Sequence, residues 1–247
     1  MVERIEVEVE GGVADGLVFL PAGQGPHPLV VFYMDAGGLR PALSDMAERL
    51  AAAGYAVVQP NLYWRSGPFA PFDFATVWTD PAERQRIFAL MNGFSPAQAM
   101  ADTRAFIDAV ARDPRVDARR VGSVGYCMGG RMAFFAASEL ADRVVACASI
   151  HGGGLVTDKP NSPHLGAPRI RARLYFGCAD HDAACTPEHR ATLAATLEAA
   201  GVDHVIELYE GKLHGFAVAD FPVFDEAAAE RHWQRVLTLF AETLRAG

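Results

Sequence analysis

The chain opens on Val2-Glu3-Arg4-Ile5-Glu6-Val7-Glu8-Val9-Glu10, where charged and aliphatic residues alternate. A period of two puts one set of side chains on each face of a strand. Ile5–Glu10 and Ala14–Leu20 flank Gly11-Gly12 and predict a hairpin. The pattern then changes. Pro28–Met34 is a near-continuous apolar run, the pattern of a strand buried on both faces of a parallel sheet. Pro41–Ala53 carries Leu43, Met46, Ala47 and Leu50 at helical spacing and stops at Gly54. Tyr55–Gln59 reads as a short strand ended by Pro60. Pro81–Met91 and Pro96–Arg112 read as helices with proline near the first turn.

Arg120–Tyr126 predicts a strand running directly into a helix, Cys127–Leu140. Strands follow at Val144–Ile150, Ile170–Phe176 and His204–Tyr209, with helices at Pro187–Ala200 and Phe224–Leu244. Gly152–Pro168 reads as a loop. Residues 64–80, rich in Pro, Phe, Gly and Trp, read as an irregular surface segment, and the aromatic stretch Tyr63–Trp78 reads either as a lid over an apolar pocket or as surface packing. Alternating strands and helices specify an α/β protein, a mostly parallel central sheet with helices on both faces. With no internal repeat and no Gly/Ser linker, residues 1–247 are expected to form one domain.

Composition narrows the function. Of 247 residues 51% are hydrophobic, too many for a disordered chain. The net charge is −8, from 22 Lys+Arg against 30 Asp+Glu, which argues against a sequence-independent nucleic-acid partner. The N-terminus lacks the basic start and apolar stretch of a secretory signal. No run approaches the ~18 apolar residues of a membrane span. A soluble cytoplasmic protein with reduced thiols is therefore expected, monomeric or a small homo-oligomer, with no membrane partner. Its four cysteines are too few for a disulfide scaffold.

One cysteine stands in a distinctive setting. Gly125-Tyr126-Cys127-Met128-Gly129-Gly130 sits where a strand meets a helix. The nucleophile elbow of α/β-hydrolases has the form Gly-x-nucleophile-x-Gly at that junction, because the tight bend admits only small flanking residues. The helix N-terminus beneath the sulfur favours thiolate. In this fold the acid and then the histidine follow the nucleophile in the chain. His214, in a loop after the last strand, suits the base; His204 and His232 suit structural roles. Asp180 and Asp182 both follow the strand Ile170–Phe176. Counting back from Pro187, which starts the next helix, favours Asp182.

On these residues the sequence resembles the dienelactone hydrolase (carboxymethylenebutenolidase) family, over nearly the whole chain. The motif around Cys127 carries the likeness, with His214-Gly215-Phe216, Pro60-Asn61-Leu62-Tyr63 and Glu83-Arg84-Gln85-Arg86. The resemblance implies a Cys127-Asp182-His214 triad and an oxyanion hole from the backbone N–H groups of Ala36 and Met128. It also implies a substrate-binding role for Arg86, and for Asp35 in the place of a glutamate that restrains the resting cysteine. The family's second carboxylate-binding arginine is replaced by Val218, and its assisting tyrosine by Leu90. The chemistry expected is hydrolysis of a small ester or lactone through a thioester. The alternatives are a general carboxylesterase or thioesterase, and a non-catalytic small-molecule binding module.

His151-Gly152-Gly153-Gly154 looks like a lipase oxyanion motif, but that motif precedes the nucleophile in the chain. His151 ends a parallel strand, where ligands bind in such folds, and is expected to line the substrate pocket. Cys178, His181, Cys185 and His189 match no common zinc spacing, so no metal is expected. Gly122-Ser123-Val124-Gly125 completes no nucleotide-binding motif, so no cofactor is expected either.

Overall fold

The structure, a computed structural model, describes residues 2–245. Eight strands form one sheet in the order β1-β2-β4-β3-β5-β6-β7-β8. They are β1 (Val2–Val9), β2 (Gly12–Phe19), β3 (His27–Tyr33), β4 (Ala56–Pro60), β5 (Val116–Tyr126), β6 (Val144–Ile150), β7 (Arg173–His181) and β8 (His204–Leu213). The N-terminal pair β1 and β2 is antiparallel, and β2 joins β4 antiparallel too. All later pairings are parallel. This is the α/β-hydrolase fold with its N-terminal hairpin.

The helices are α1 (Pro41–Ala52), α2 (Pro81–Met91), α3 (Pro96–Val110), α4 (Met128–Glu139), α5 (Pro187–Ala199) and α6 (Glu226–Leu244). Adjacent residues of β5 show how they are distributed. A Cβ on Gly122 would meet Phe240 of α6, whereas Ser123 Oγ lies against the Ala133 carbonyl of α4. Neighbouring side chains on a strand point to opposite faces, so α6 and α4 cover opposite sides. Arg49 of α1 pairs with Glu230 of α6 on one side, and α3 packs on α4 on the other. The central strands β3 and β4 are buried throughout or nearly so, as their apolar runs predict.

Strand ends differ from the sequence pattern where pairing is non-local. Ile170–Ala172 lies outside β7, which instead continues through Gly177 to His181. Cys178 pairs with Leu208 and Ala179 with Tyr209, so the ladder to β8 overrides the glycine. Likewise β8 runs on to Leu213 and β5 begins at Val116. Residues 163–169, expected as loop, form a short 3-10 helix. No helix among the described residues is long and apolar enough to cross a membrane.

Glu207 ties α6 to the sheet edge. Its carboxylate accepts from Tyr175 Oη at 2.7 Å, Arg231 Nη2 at 2.6 Å and Arg235 Nη2 at 2.9 Å. Burial alone would raise its pKa, but the hydrogen bonds from Arg235, Tyr175 and Arg231 bring it down to about 2. The folded-state value lies below the unfolded one, so this stabilisation is full above the ordinary 4.5 and fades as pH falls toward about 2. Glu207→Gln is expected to cost about 2 kcal/mol at neutral pH. Urea melts of both proteins down the acid range check this; the deficit shrinks with pH, and a pH-independent deficit refutes the assignment.

Candidate active site

Cys127 occupies the turn between β5 and α4 at φ +55°, ψ −118°. This backbone region is costly for a residue with a side chain and persists only where the surroundings enforce it. Here they do. A Cβ on Gly125 would lie 2.0 Å from the Gly129 carbonyl oxygen, and one on Gly129 would lie 2.3 Å from that of Tyr33. No larger residue fits at either position, so the strand, turn and helix close together only with this sequence. The Cys127 thiol is left partly exposed above the sheet. Met128 begins α4, whose first N–H groups have no partner within the helix.

The ladder between β7 and β8 brings the other two groups together. His181 pairs with Leu213 at its end, so Asp182 and His214, each one residue further on, emerge side by side. His214 Nδ1 lies 2.7 Å from Asp182 Oδ2. A carboxylate can only accept, so Nδ1 carries the proton and Nε2 is left for Cys127. The other carboxylate oxygen, Oδ1, accepts the Ala184 N–H at 2.8 Å. Asp180 instead accepts the Gly211 N–H at 3.1 Å. Burial opposes charge on His214, but the Cys127 sulfur and the hydrogen bonds to Asp182 and Cys127 outweigh it and raise the imidazole pKa well above its ordinary value.

Cys127, His214 and Ala36 share a cavity of about 130 Å³ with Phe74, Trp78 and Phe221. The segment 64–80 thus covers the site through Phe74 and Trp78. Phe74 packs against Phe221 with ring centroids 4.3 Å apart. Tyr63, buried beneath, donates its hydroxyl to the Ala36 carbonyl at 3.0 Å and fixes the backbone there.

Three expected substrate-binding residues stand elsewhere. His151 is fully buried, and its Nδ1 accepts the Cys127 backbone N–H at 3.2 Å. Burial, with His214 and His232 adding, keeps its pKa well below the ordinary value. A neutral ring under the turn supports the elbow and does not line the cavity. Arg86 reaches Glu83 on its own helix and the carbonyls of Ala70 and Pro71, with its guanidinium 3.9 Å from the Phe72 ring centroid. It pins the 70–72 segment and is not among the cavity walls. Asp35 is fully buried and held by Arg40 through bonds of 2.6 and 2.9 Å, so its carboxylate turns to that cation. Arg40 also holds Asp220 at 2.6 Å and lies over Phe74, bridging the strand end, the lid and the 215–225 loop.

The sequence pattern gave no weight to Arg40 or to Arg131. For Arg131 the signal was its place in the chain, four residues after Cys127 at the start of the helix. The remaining thiols are buried. Cys178 and Cys185 lie 3.9 Å apart, sulfur to sulfur, on either side of Asp182. Among the described residues no group of His, Cys, Asp and Glu is placed to hold a metal ion. His189 instead closes the capping box of α5 with Thr186.

A strained cysteine between strand and helix, with a histidine and a carboxylate converging from the next strand ends, defines an α/β-hydrolase. The sequence profile of the dienelactone hydrolase family matches residues 14–244, and the chain belongs to that family of ester and lactone hydrolases. Carboxymethylenebutenolidase 1 of Cupriavidus pinatubonensis is 33% identical over 87% of this chain and 86% of its own. Carboxymethylenebutenolidase of Pseudomonas sp. strain P51 is 26% identical over 97% and 94%. A dienelactone hydrolase-like promiscuous phosphotriesterase, P91, from metagenomic libraries shares the fold at a TM-score of 0.78 and 22% identity, covering 98% of both chains.

Proposed function

We propose that the protein hydrolyses small carboxylic esters or lactones by covalent catalysis at Cys127. The reading rests above all on the His214 Nδ1 to Asp182 Oδ2 contact of 2.7 Å beside Cys127. His214 Nε2 takes the proton of the Cys127 thiol, and the sulfur attacks the acyl carbon. The N–H groups of Ala36 and Met128 receive the developing oxyanion, worth a few kcal/mol each in a site closed to water. As the C–O bond breaks, His214 gives its Nε2 proton to the leaving oxygen, and a thioester remains. Water then attacks the thioester carbonyl while His214 takes up its proton. The acid departs and the thiol is restored. Asp182 holds the imidazole in the required tautomer throughout.

The family relationship favours lactones, yet Arg86 is engaged with Glu83 and Val218 is apolar and buried. Those observations favour a broader ester range. Turnover of p-nitrophenyl acetate and of a dienelactone, each with and without prior iodoacetamide, tests the reading. Hydrolysis abolished by alkylation, with an acyl adduct on Cys127 in the intact-mass spectrum, is expected. Absence of turnover, or turnover indifferent to alkylation, refutes it.

A further inference from the structure

Arg131 lies in the first turn of α4, four residues after Cys127, which caps that helix. Its side chain is half-buried, and Nε is shut off from water without a hydrogen-bond partner. No carboxylate among the described residues pairs with it, and the groups that act on it electrostatically are Cys127 and Tyr63. The other inward arginines are neutralised: Arg40 by Asp35 and Asp220, Arg65 by Asp102. A desolvated guanidinium without a counter-charge is costly to keep. Burial accordingly lowers the Arg131 pKa. The residue as a whole is nevertheless not sealed off, being partly exposed.

Gly154, held at φ +69° where glycine is favoured, faces Arg131: a Cβ there would sit 3.3 Å from Arg131 Nη1. A Cβ on the neighbouring Gly153 would lie 3.8 Å from His214 Cε1. His214 must reach the leaving oxygen, so the leaving group lies on its side, in the cavity walled by Phe74, Trp78 and Phe221. The acyl group then extends away from His214, and Arg131 acts electrostatically on Cys127 from outside that cavity.

We propose that Arg131 forms an anion subsite on the acyl side of Cys127 and selects half-esters of dicarboxylic acids, whose distal carboxylate takes a bidentate pair with the guanidinium. This rests on Cys127 as the nucleophile. It places the anion on α4, a position distinct from that of Arg86, and joins it to an apolar leaving group. A planar carboxylate suits the guanidinium fork.

The test compares two esters with the same leaving group and similar length, p-nitrophenyl hydrogen adipate and p-nitrophenyl hexanoate. The wild type is expected to prefer the adipate in kcat/KM. Arg131→Gln is expected to lower the adipate-to-hexanoate ratio roughly 10- to 100-fold. Arg131→Lys, which keeps the charge without the fork, falls between. Because both esters are read in one preparation, loss of folded protein cancels in the ratio. A ratio unchanged by Arg131→Gln, or a wild type without preference for the adipate, overturns the proposal. Monomethyl adipate provides a readout independent of turnover: it raises the melting temperature of Cys127→Ala but not of Cys127→Ala with Arg131→Gln. Equal shifts in both overturn the subsite. Absence of hydrolysis alongside unequal shifts refutes the nucleophile assignment and leaves the anion subsite standing.

Discussion

On the proposed mechanism, Cys127→Ala is expected to lower kcat/KM for every ester the protein hydrolyses, by on the order of 10⁵-fold. The proposed base His214 and the proposed backbone donors of Ala36 and Met128 would remain, and together they are expected to sustain a rate only modestly above that of water. Stability changes little, by within about 1 kcal/mol. The cysteine is partly exposed, and alanine keeps the same backbone strain at φ +55°. Rates and melting temperatures measured on the same preparation separate the two effects. A variant that keeps a tenth of the wild-type rate while folded would remove Cys127 from the mechanism. So would an acyl adduct forming on another residue.

The turn was legible from sequence because its causes are local. Gly125 and Gly129 are dictated by contacts made within the same strand-turn-helix unit and by β3 directly beneath. The apolar run ending at Tyr33 and the alternation in β1 are equally local. The end of β7 was not legible. A glycine in isolation ends a strand, but Gly177 pairs with Glu207 in a ladder contributed from about thirty residues away. That same ladder sets His214 against Asp182, a placement that counting back from the next helix favours but cannot derive.

The misplaced side chains share a cause. Arg86 was given to the substrate because its motif matches the family, yet motif spacing says nothing of Glu83 and the 70–72 carbonyls that occupy its guanidinium. His151 ends a strand at the correct edge of the sheet, but its ring turns under Cys127, with φ +37°. In sequence Arg131 does not stand out, because an arginine on a helix is ordinarily a solvated one. Its significance lies in the partner it lacks, and a missing partner is visible only in three dimensions.

Asp182→Asn is expected to cut kcat by on the order of 10³-fold, less than in a serine triad because a thiol depends less on its base. The reason lies in the Ala184 N–H, which holds Oδ1 at 2.8 Å. An asparagine that keeps this bond must turn its amide NH₂ toward His214 Nδ1. Nδ1 then becomes the acceptor, the ring proton moves to Nε2, and the nitrogen facing Cys127 can no longer take a proton. Asp180→Asn serves as the control. Asp180 accepts from Gly211 rather than from His214, and its loss is expected to change kcat by within about threefold. The comparison decides between two carboxylates that the sequence leaves nearly equivalent. If Asp180→Asn proves the more damaging, the acid is misassigned and the β7 end must rearrange in the working enzyme. If neither variant loses activity, His214 works without an orienting carboxylate, and the 2.7 Å contact is structural.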